Sequence, residues 1–379
     1  MASSLTSILR TKNVTKVVSR VAANSNAMLN FFGMQPGGPN TIPTGGREFS
    51  YQVFDAVRSP GILRAPGAPA ARQARRPIGS VHGVFPRMHE QIDMLSEFTH
   101  NLAMVGQSDG ARDEAGKAYL ARQIIPTAQR AANFRTMLLV GMLRDALYVH
   151  ESGDDWYGDW TTATDLVRIN FQRPAGNLSK LDMLGGGDIL GASWATAATD
   201  IPANLRAINS AFQELVGTGL DHVWCSSVIW GHVINNDVVQ AVGGSASPPF
   251  QLYDRVAGIG PDGMPIRDQV GTITACPGVT FHITDAGLTL GAPGSESFAK
   301  LCDDTHAIFC PSPTPEIYEM REGSEPIAEY DGGPESVRMG LSSWARSRSN
   351  PTGTEVFTLD NALACDYVPK ATAYGLCVY

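Results

Sequence analysis

Residues 192–242 read ASWATAATDIPANLRAINSAFQELVGTGLDHVWCSSVIWGHVINNDVVQAV. Ile201, Leu205, Ile208, Phe212, Leu215 and Val216 recur at the spacing of one helical face. Asp200 suits the N-cap, Pro202 suits the first turn, and Gly217 or Gly219 suits the end. HVWCSSV then has the continuous apolar character of a buried strand. SVIWGHVINNDVVQAV predicts a second helix with Trp230, Val233 and Ile234 facing inward. The order is helix, strand, helix.

The same stretch concentrates reactive residue types: Cys225, Ser226, Ser227 and His232, with Asp221 just upstream. A Cys or Ser hydrolase needs a nucleophile, a base within hydrogen-bond reach and a third group to orient that base. Here Cys225 and Ser226 sit at the end of a strand, where neighbours face opposite ways, while His232 lies on the following helix. No GxSxG elbow is present. The eight His are scattered singly, with neither HxxxH nor HExxH. Asp221, His222, Cys302, Asp303, Asp304 and His306 make a paper cluster whose structural reading is the stronger. The Gly-rich run MLGGGDILGASW, 183–194, lacks GK[ST] and a GxGxxG register, so it is no phosphate loop. No catalytic residue, cofactor site or metal site is expected.

Composition narrows the class. The 379 residues suffice for one large or two modest domains, and 43% are apolar. Only 17% are charged, against about a quarter in an average chain. A weakly charged surface fits a chain that buries area against neighbours. The net charge of −8 divides unevenly: residues 1–80 hold eight Arg and two Lys against Glu48 and Asp55, or +8, which leaves −16 for the rest. A basic arm on an acidic body predicts contact with a neighbour or with nucleic acid. Six Cys without CxxC spacing read as reduced, partly buried thiols of a protein made in the cytosol. No apolar run approaches the length of a membrane span. The first residues, MASSLTSILRTKNVTKVVSRVAA, imitate a transit peptide, but the spacing of Leu5, Ile8 and Leu9 favours an amphipathic segment that docks on protein.

Along the chain, 24–45 is Gly-, Pro- and Asn-rich and reads as extended. REFSYQVFDAV (47–57) and VHGVFPRM predict two strands around a tip, 58–80, rich in Arg, Pro and Ala. Such a hairpin has too little core to stand alone and is expected to leave the body. Residues 88–105 read as helical, and 114–150 as a long helix with Pro126 as a kink. Its centre, MLLVGML (137–143), is uncharged and bounded by Arg135 and Arg144, so burial on several sides is expected, with 128–150 continuous. Residues 154–172 and most of the chain beyond 270 read as short strands.

The run 192–242 resembles a segment of tailed-phage major capsid proteins of the lambda type. Trp194, Asp200, Ile201, Gly217, Trp230 and Asn235–Asn236 fill the places of that family's Trp, capped helix, buried strand and polar turn. EIYEMREGSEPIAEYDGG and LSSWARSRSNPTGTEVF are similar to its late strands. The resemblance implies an α+β, Hong Kong 97-like phage capsid fold. Its parts would be an N-arm (1–45), an E-loop (46–86), a P-domain with the long spine helix (87–184), an A-domain with a central sheet (185–310) and P-domain return strands (311–379). It implies self-assembly as hexamers and pentamers into an icosahedral head, formed in the host cytoplasm and retained in the virion. That head would enclose double-stranded DNA without sequence-specific binding. A cement or decoration protein, a portal and a scaffold would be further partners, with no membrane. Arg58, Arg64, Arg72, Arg75, Arg76, Arg10 and Arg20 would make inter-subunit contacts. Some family members join a loop Lys to a neighbour's Asn. Residues 46–86 contain no Lys, Lys16 and Lys117 being nearest, so burial, arm exchange or cement must take that role. The competing classes are a nucleic-acid binder using 58–76, which lacks interleaved aromatics, and the hydrolase weighed above.

Overall fold

The computed structural model describes residues 15, 16, 18, 19, 22, 26–54, 77–95, 109–152, 155–160, 167–242, 248–259, 265–291, 294–328, 335–349 and 352–379. The first elements are helix α1 (Ala27–Phe32) and strand β1 (Thr41–Pro43). Next come β2 (Glu48–Phe54), β3 (Pro77–Val84) and β4 (Arg87–Leu95). The long helix α2 (Asp109–Arg144) leads to β5 (Leu147–Ser152), β6 (Asp155–Asp159), β7 (Val167–Ile169) and β8 (Leu178–Ser179). The central run forms α3 (Ile201–Leu215), β9 (His222–Cys225), α4 (Ser227–Ile234) and α5 (Asp237–Val242). Then follow β10 (Phe250–Ile259), β11 (Pro265–Ile273), β12 (Thr280–Ile283), β13 (Gly287–Leu290), β14 (Ser297–Lys300) and β15 (His306–Cys310). The tail holds β16 (Tyr318–Glu322), β17 (Ser324–Ala328), β18 (Glu335–Met339), β19 (Ser342–Ser349), β20 (Thr352–Asp366) and β21 (Ala373–Leu376).

A seven-stranded mixed sheet, in the order β10-β11-β12-β9-β15-β21-β8, carries the central run. Side chains on its inner strands alternate between two cores, as the strand period requires. Val223 and Cys225 of β9, with Ala307 and Phe309 of β15, join Ile201, Leu205, Ile208 and Phe212 of α3. Trp224, Ile308 and Cys310 face the opposite core, shared with α1 and α2. Asp200 caps α3 by accepting from the Ala203 N–H at 2.8 Å, and Gly217 follows its end at φ 88°. The single helix expected over SVIWGHVINNDVVQAV is instead two. Asn236 is fully buried at the break: its Nδ2 donates to the carbonyls of Ala197 and Thr199, both at 2.8 Å. Its Oδ1 accepts from the Val238 and Val239 N–H groups, both at 3.1 Å, which starts α5.

A second sheet runs β1-β16-β20-β19, with β4 also paired to β20. Residues 88–95 are therefore strand, not helix, and 96–105 lie outside the described residues. Met88 and Ile92 both pack on the core, and a spacing of four satisfies two strand repeats as well as one helical turn. The long helix also ends earlier than its pattern predicts. Asp145 adopts a left-handed φ of 53°, the Ala146 N–H bonds back to the Gly141 carbonyl at 2.9 Å, and the chain turns into β5 instead of continuing to 150. Pro126 lies within α2. Leu138, Leu139, Val140, Met142 and Leu143 are completely buried, as the uncharged centre requires.

Arg135 and Arg144 are anchors inside the structure, not the polar limits of an apolar segment. Arg135 is fully buried and donates to both carboxylate oxygens of Asp360 on β20, at 2.7 and 2.8 Å, and to Glu322 on β16 at 2.6 Å. Arg144 donates to the Lys300 and Leu301 carbonyls at 2.7 and 2.8 Å and lies over the Trp160 ring at 5.0 Å. Arg173 repeats the device, bridging the Leu143 carbonyl at the end of α2 and Asp366 at the end of β20.

Candidate functional site

The reactive-looking stretch resolves into scaffold. Cys225 is completely buried, and that burial pushes its thiol well above the usual range. Ser226 caps α4, its hydroxyl accepting from the Ile229 N–H at 3.4 Å. The Ser227 N–H donates to Asp285 at 3.3 Å. Asp221 accepts from the Ser312 N–H and hydroxyl at 2.9 and 2.8 Å. Among the described residues, no hydrogen bond joins His232 to Cys225, Ser226 or Ser227. All six Cys are free and buried, five of them completely, and Cys276 keeps a small exposed surface. Among the described residues, no group of three or more His, Cys, Asp or Glu is placed to hold a metal.

A different polar constellation is present. His282 on β12 and His222 on β9 sit on adjacent strands, with Nε2 of His282 3.2 Å from Nδ1 of His222. His282 Nδ1 lies 3.2 Å from Asp268 on β11, and His222 Nε2 lies 3.3 Å from the Ser312 hydroxyl. Singly scattered His gave no sequence signal for this pairing. Only the parallel register of β12 on β9 brings positions 60 residues apart together.

A second candidate surface centres on the β2–β3 hairpin. Its strands pair from Glu48↔Val84 to Phe54↔Pro77. One face of the root is not free: Phe49, Tyr51, Val53, Val81 and Phe85 pack on Leu363 and Cys365 of β20. The hairpin therefore starts clamped to its own body, and residues 55–76, expected to leave that body, lie outside the described residues. Arg321 donates to the Ser50 carbonyl at 3.0 Å, and Arg47 pairs with Glu325 at 2.7 Å. The tip, with Arg58, Arg64, Arg72, Arg75 and Arg76, lies outside the described residues, as do Arg10 and Arg20.

A groove of about 1250 Å³ runs between the hairpin, β4, α2 and β6, lined by Phe49, Val84, Met88, Phe134, Met137 and Tyr157 among others. Apolar side chains also stand exposed on paired strands: Leu252, Tyr253 and Val256 on the sheet-edge strand β10, and Val337 and Met339 on β18. Among the described residues β10 pairs on one side only, and apolar side chains on such an edge are a feature that soluble monomers usually blunt.

No protein-family model matches the chain, and no curated protein matches it by sequence. Solved structures do. A prophage protein of E. coli CFT073, assigned as a capsid protein, is 12% identical, with a TM-score of 0.51 over 99% of each chain. A phage-related protein from Bordetella bronchiseptica RB50 is 9% identical, with a TM-score of 0.50 over 96% of each chain. The likeness is one of fold and runs end to end: the chain has the α+β, Hong Kong 97-like fold.

Proposed function

We propose that this chain is a phage major capsid protein whose copies assemble, as hexamers and pentamers, into the icosahedral head around a double-stranded DNA genome. The observation that carries this reading is the fold likeness to the prophage capsid protein over 99% of each chain, not over one shared domain. The clamped hairpin root supports it. A β-hairpin with its root fixed and a long Arg-, Pro- and Ala-rich tip is suited to reach a surface beyond its own body.

In this reading residues 1–45 are the N-arm, 46–86 the E-loop, 87–184 the first part of the P-domain, 185–310 the A-domain and 311–379 the return strands. The tip Arg58, Arg64, Arg72, Arg75 and Arg76, and Arg10 and Arg20 of the arm, meet acidic surface on adjacent subunits, because guanidinium suits bidentate carboxylate pairing. DNA is enclosed without sequence-specific recognition. The protein works by burying surface and performs no catalysis. It assembles in the host cytoplasm, resides in the virion, and has portal, scaffold and cement proteins as further partners.

Light scattering on the purified protein tests this. Assembly gives particles of megadalton mass, whereas a chain that remains at 40.5 kDa under all ionic conditions would refute the reading. Neutralising the five tip Arg should lower particle yield while leaving the subunit's circular dichroism unchanged.

A further inference from the structure

Asp268, His282, His222, Ser312 and Asp221 form a line of five polar groups with four short gaps, of 3.2, 3.2, 3.3 and 2.8 Å. A hydrogen bond in each gap needs one proton. The two ends are carboxylates and only accept. The Ser312 hydroxyl fills the last gap by donating to Asp221. Three gaps remain, all touching an imidazole, and two neutral imidazoles supply only two protons. The line is complete when the four ring nitrogens share three protons. Its single positive charge then lies between two carboxylates. The Trp224 ring lies nearly parallel to His282 at 4.3 Å, presenting the face that attracts cations.

The pair is also a seat for the N-terminal arm. Phe31 of α1 meets the His222 ring at 4.7 Å and 77°, the His282 ring at 4.7 Å and 55°, and Trp224 at 5.4 Å. We propose that His222 and His282 form a one-proton clasp that seats α1 on the seven-stranded sheet near neutral pH and loosens it in acid. A further proton makes all four ring nitrogens donors, so two N–H groups face each other across 3.2 Å and the pair must part. The charged surroundings do not relieve this. Asp268 of β11 and Asp221 before β9 are already engaged, and Arg255 on β10 opposes added positive charge. From the segment after β15 the group that meets the pair is the uncharged Ser312, and α1 carries no charged residue.

Burial first, then the neighbouring His282 and Arg255, hold His222 down at about 4 against the opposing pull of Asp221. An unfolded or undocked His titrates near 6.5. A depressed value means that protonating His222 itself costs docking as pH falls from about 6.5 towards about 4. Six residues of helix have no stability of their own, so α1 depends on its seat.

The test is hydrogen exchange by mass spectrometry on the full chain between pH 7.5 and 4, corrected for intrinsic rate. The readout is protection of the Asn30, Gly33 and Met34 amides, which close and cap α1. Protection should fall at least tenfold in the wild type and less than twofold in His222→Phe, which keeps a ring under Phe31 but takes no proton. Protection of the Val223–Cys225 strand should hold in both. An acid-insensitive wild type, or equal loss in His222→Phe, overturns the clasp. Imidazole nitrogen NMR of the wild type at pH 6 is independent of the variant: three ring N–H groups in the pair support it, and two refute it.

Discussion

Replacing Arg135 with Met tests how the spine helix is fixed to the strand behind it. Arg135 and Asp360 are both fully buried and share two hydrogen bonds, with Glu322 as a third arm. Burial alone favours the neutral form of Asp360, and Arg135 is what opposes this. In Arg135→Met the opposing charge is gone, while burial and Glu322 remain and push the Asp360 carboxyl higher still. Removing one partner of a buried pair costs about 3–5 kcal/mol, because the other charge is left uncompensated. The deficit should depend on pH in a defined direction. A carboxyl raised in the folded state above its unfolded value near 3.9 is least destabilising at low pH, and its penalty grows as pH rises through the folded value. Arg135→Met should thus lie closer to wild type at pH 5 than at pH 7.5. Adding Asp360→Leu should recover much of the loss at pH 7.5, since a packed apolar pair can replace a buried ion pair. Urea unfolding of unassembled subunits, followed by Trp fluorescence, reads all three. A loss below about 1 kcal/mol in the single variant at pH 7.5, or a double variant less stable than the single one, would refute the reasoning.

Other substitutions read other parts of the structure. Leu138→Ala removes a completely buried side chain at the centre of α2 and should cost about 2–5 kcal/mol in the same unfolding assay. Asn236→Ala strips the carbonyls of Ala197 and Thr199 and the first amides of α5 of their partner, at about 1–3 kcal/mol for each buried group left unpaired, so the 197–199 and 237–239 amides should exchange faster. The six thiols should not react with a disulfide reagent in native protein at pH 8 and should all react in denaturant. Burial raises every one of them, Cys302 to about 12.

Features set by local period were legible in the sequence. The face Ile201-Leu205-Ile208-Phe212, the Asp200 cap and the strand at Val223 follow from spacing, and the structure places them accordingly. Features set by tertiary pairing were not. Arg87–Leu95 carries apolar residues at a spacing common to both helix and strand, and only its partner β20 decides between them. The end of α2 at Asp145 hinges on a left-handed residue that donor pairing stabilises, a signal invisible to hydrophobic patterning. The buried guanidiniums of Arg135 and Arg173 carried no local signal, because their carboxylate partners lie 225 and 193 residues away. The His222–His282 pair was hidden for the same reason. The hairpin was recognised, but its packing on Leu363 and Cys365 required the late strand that only the folded chain brings beneath it.

Electron microscopy of the purified, concentrated protein tests the central claim most directly. The account predicts closed shells of uniform diameter whose subunit density matches the fold described here, with the 46–86 hairpin leaving a clamped root to lie on a neighbouring subunit. Dispersed monomers under every assembly condition, or shells in which that hairpin folds back on its own subunit along its whole length, would contradict it.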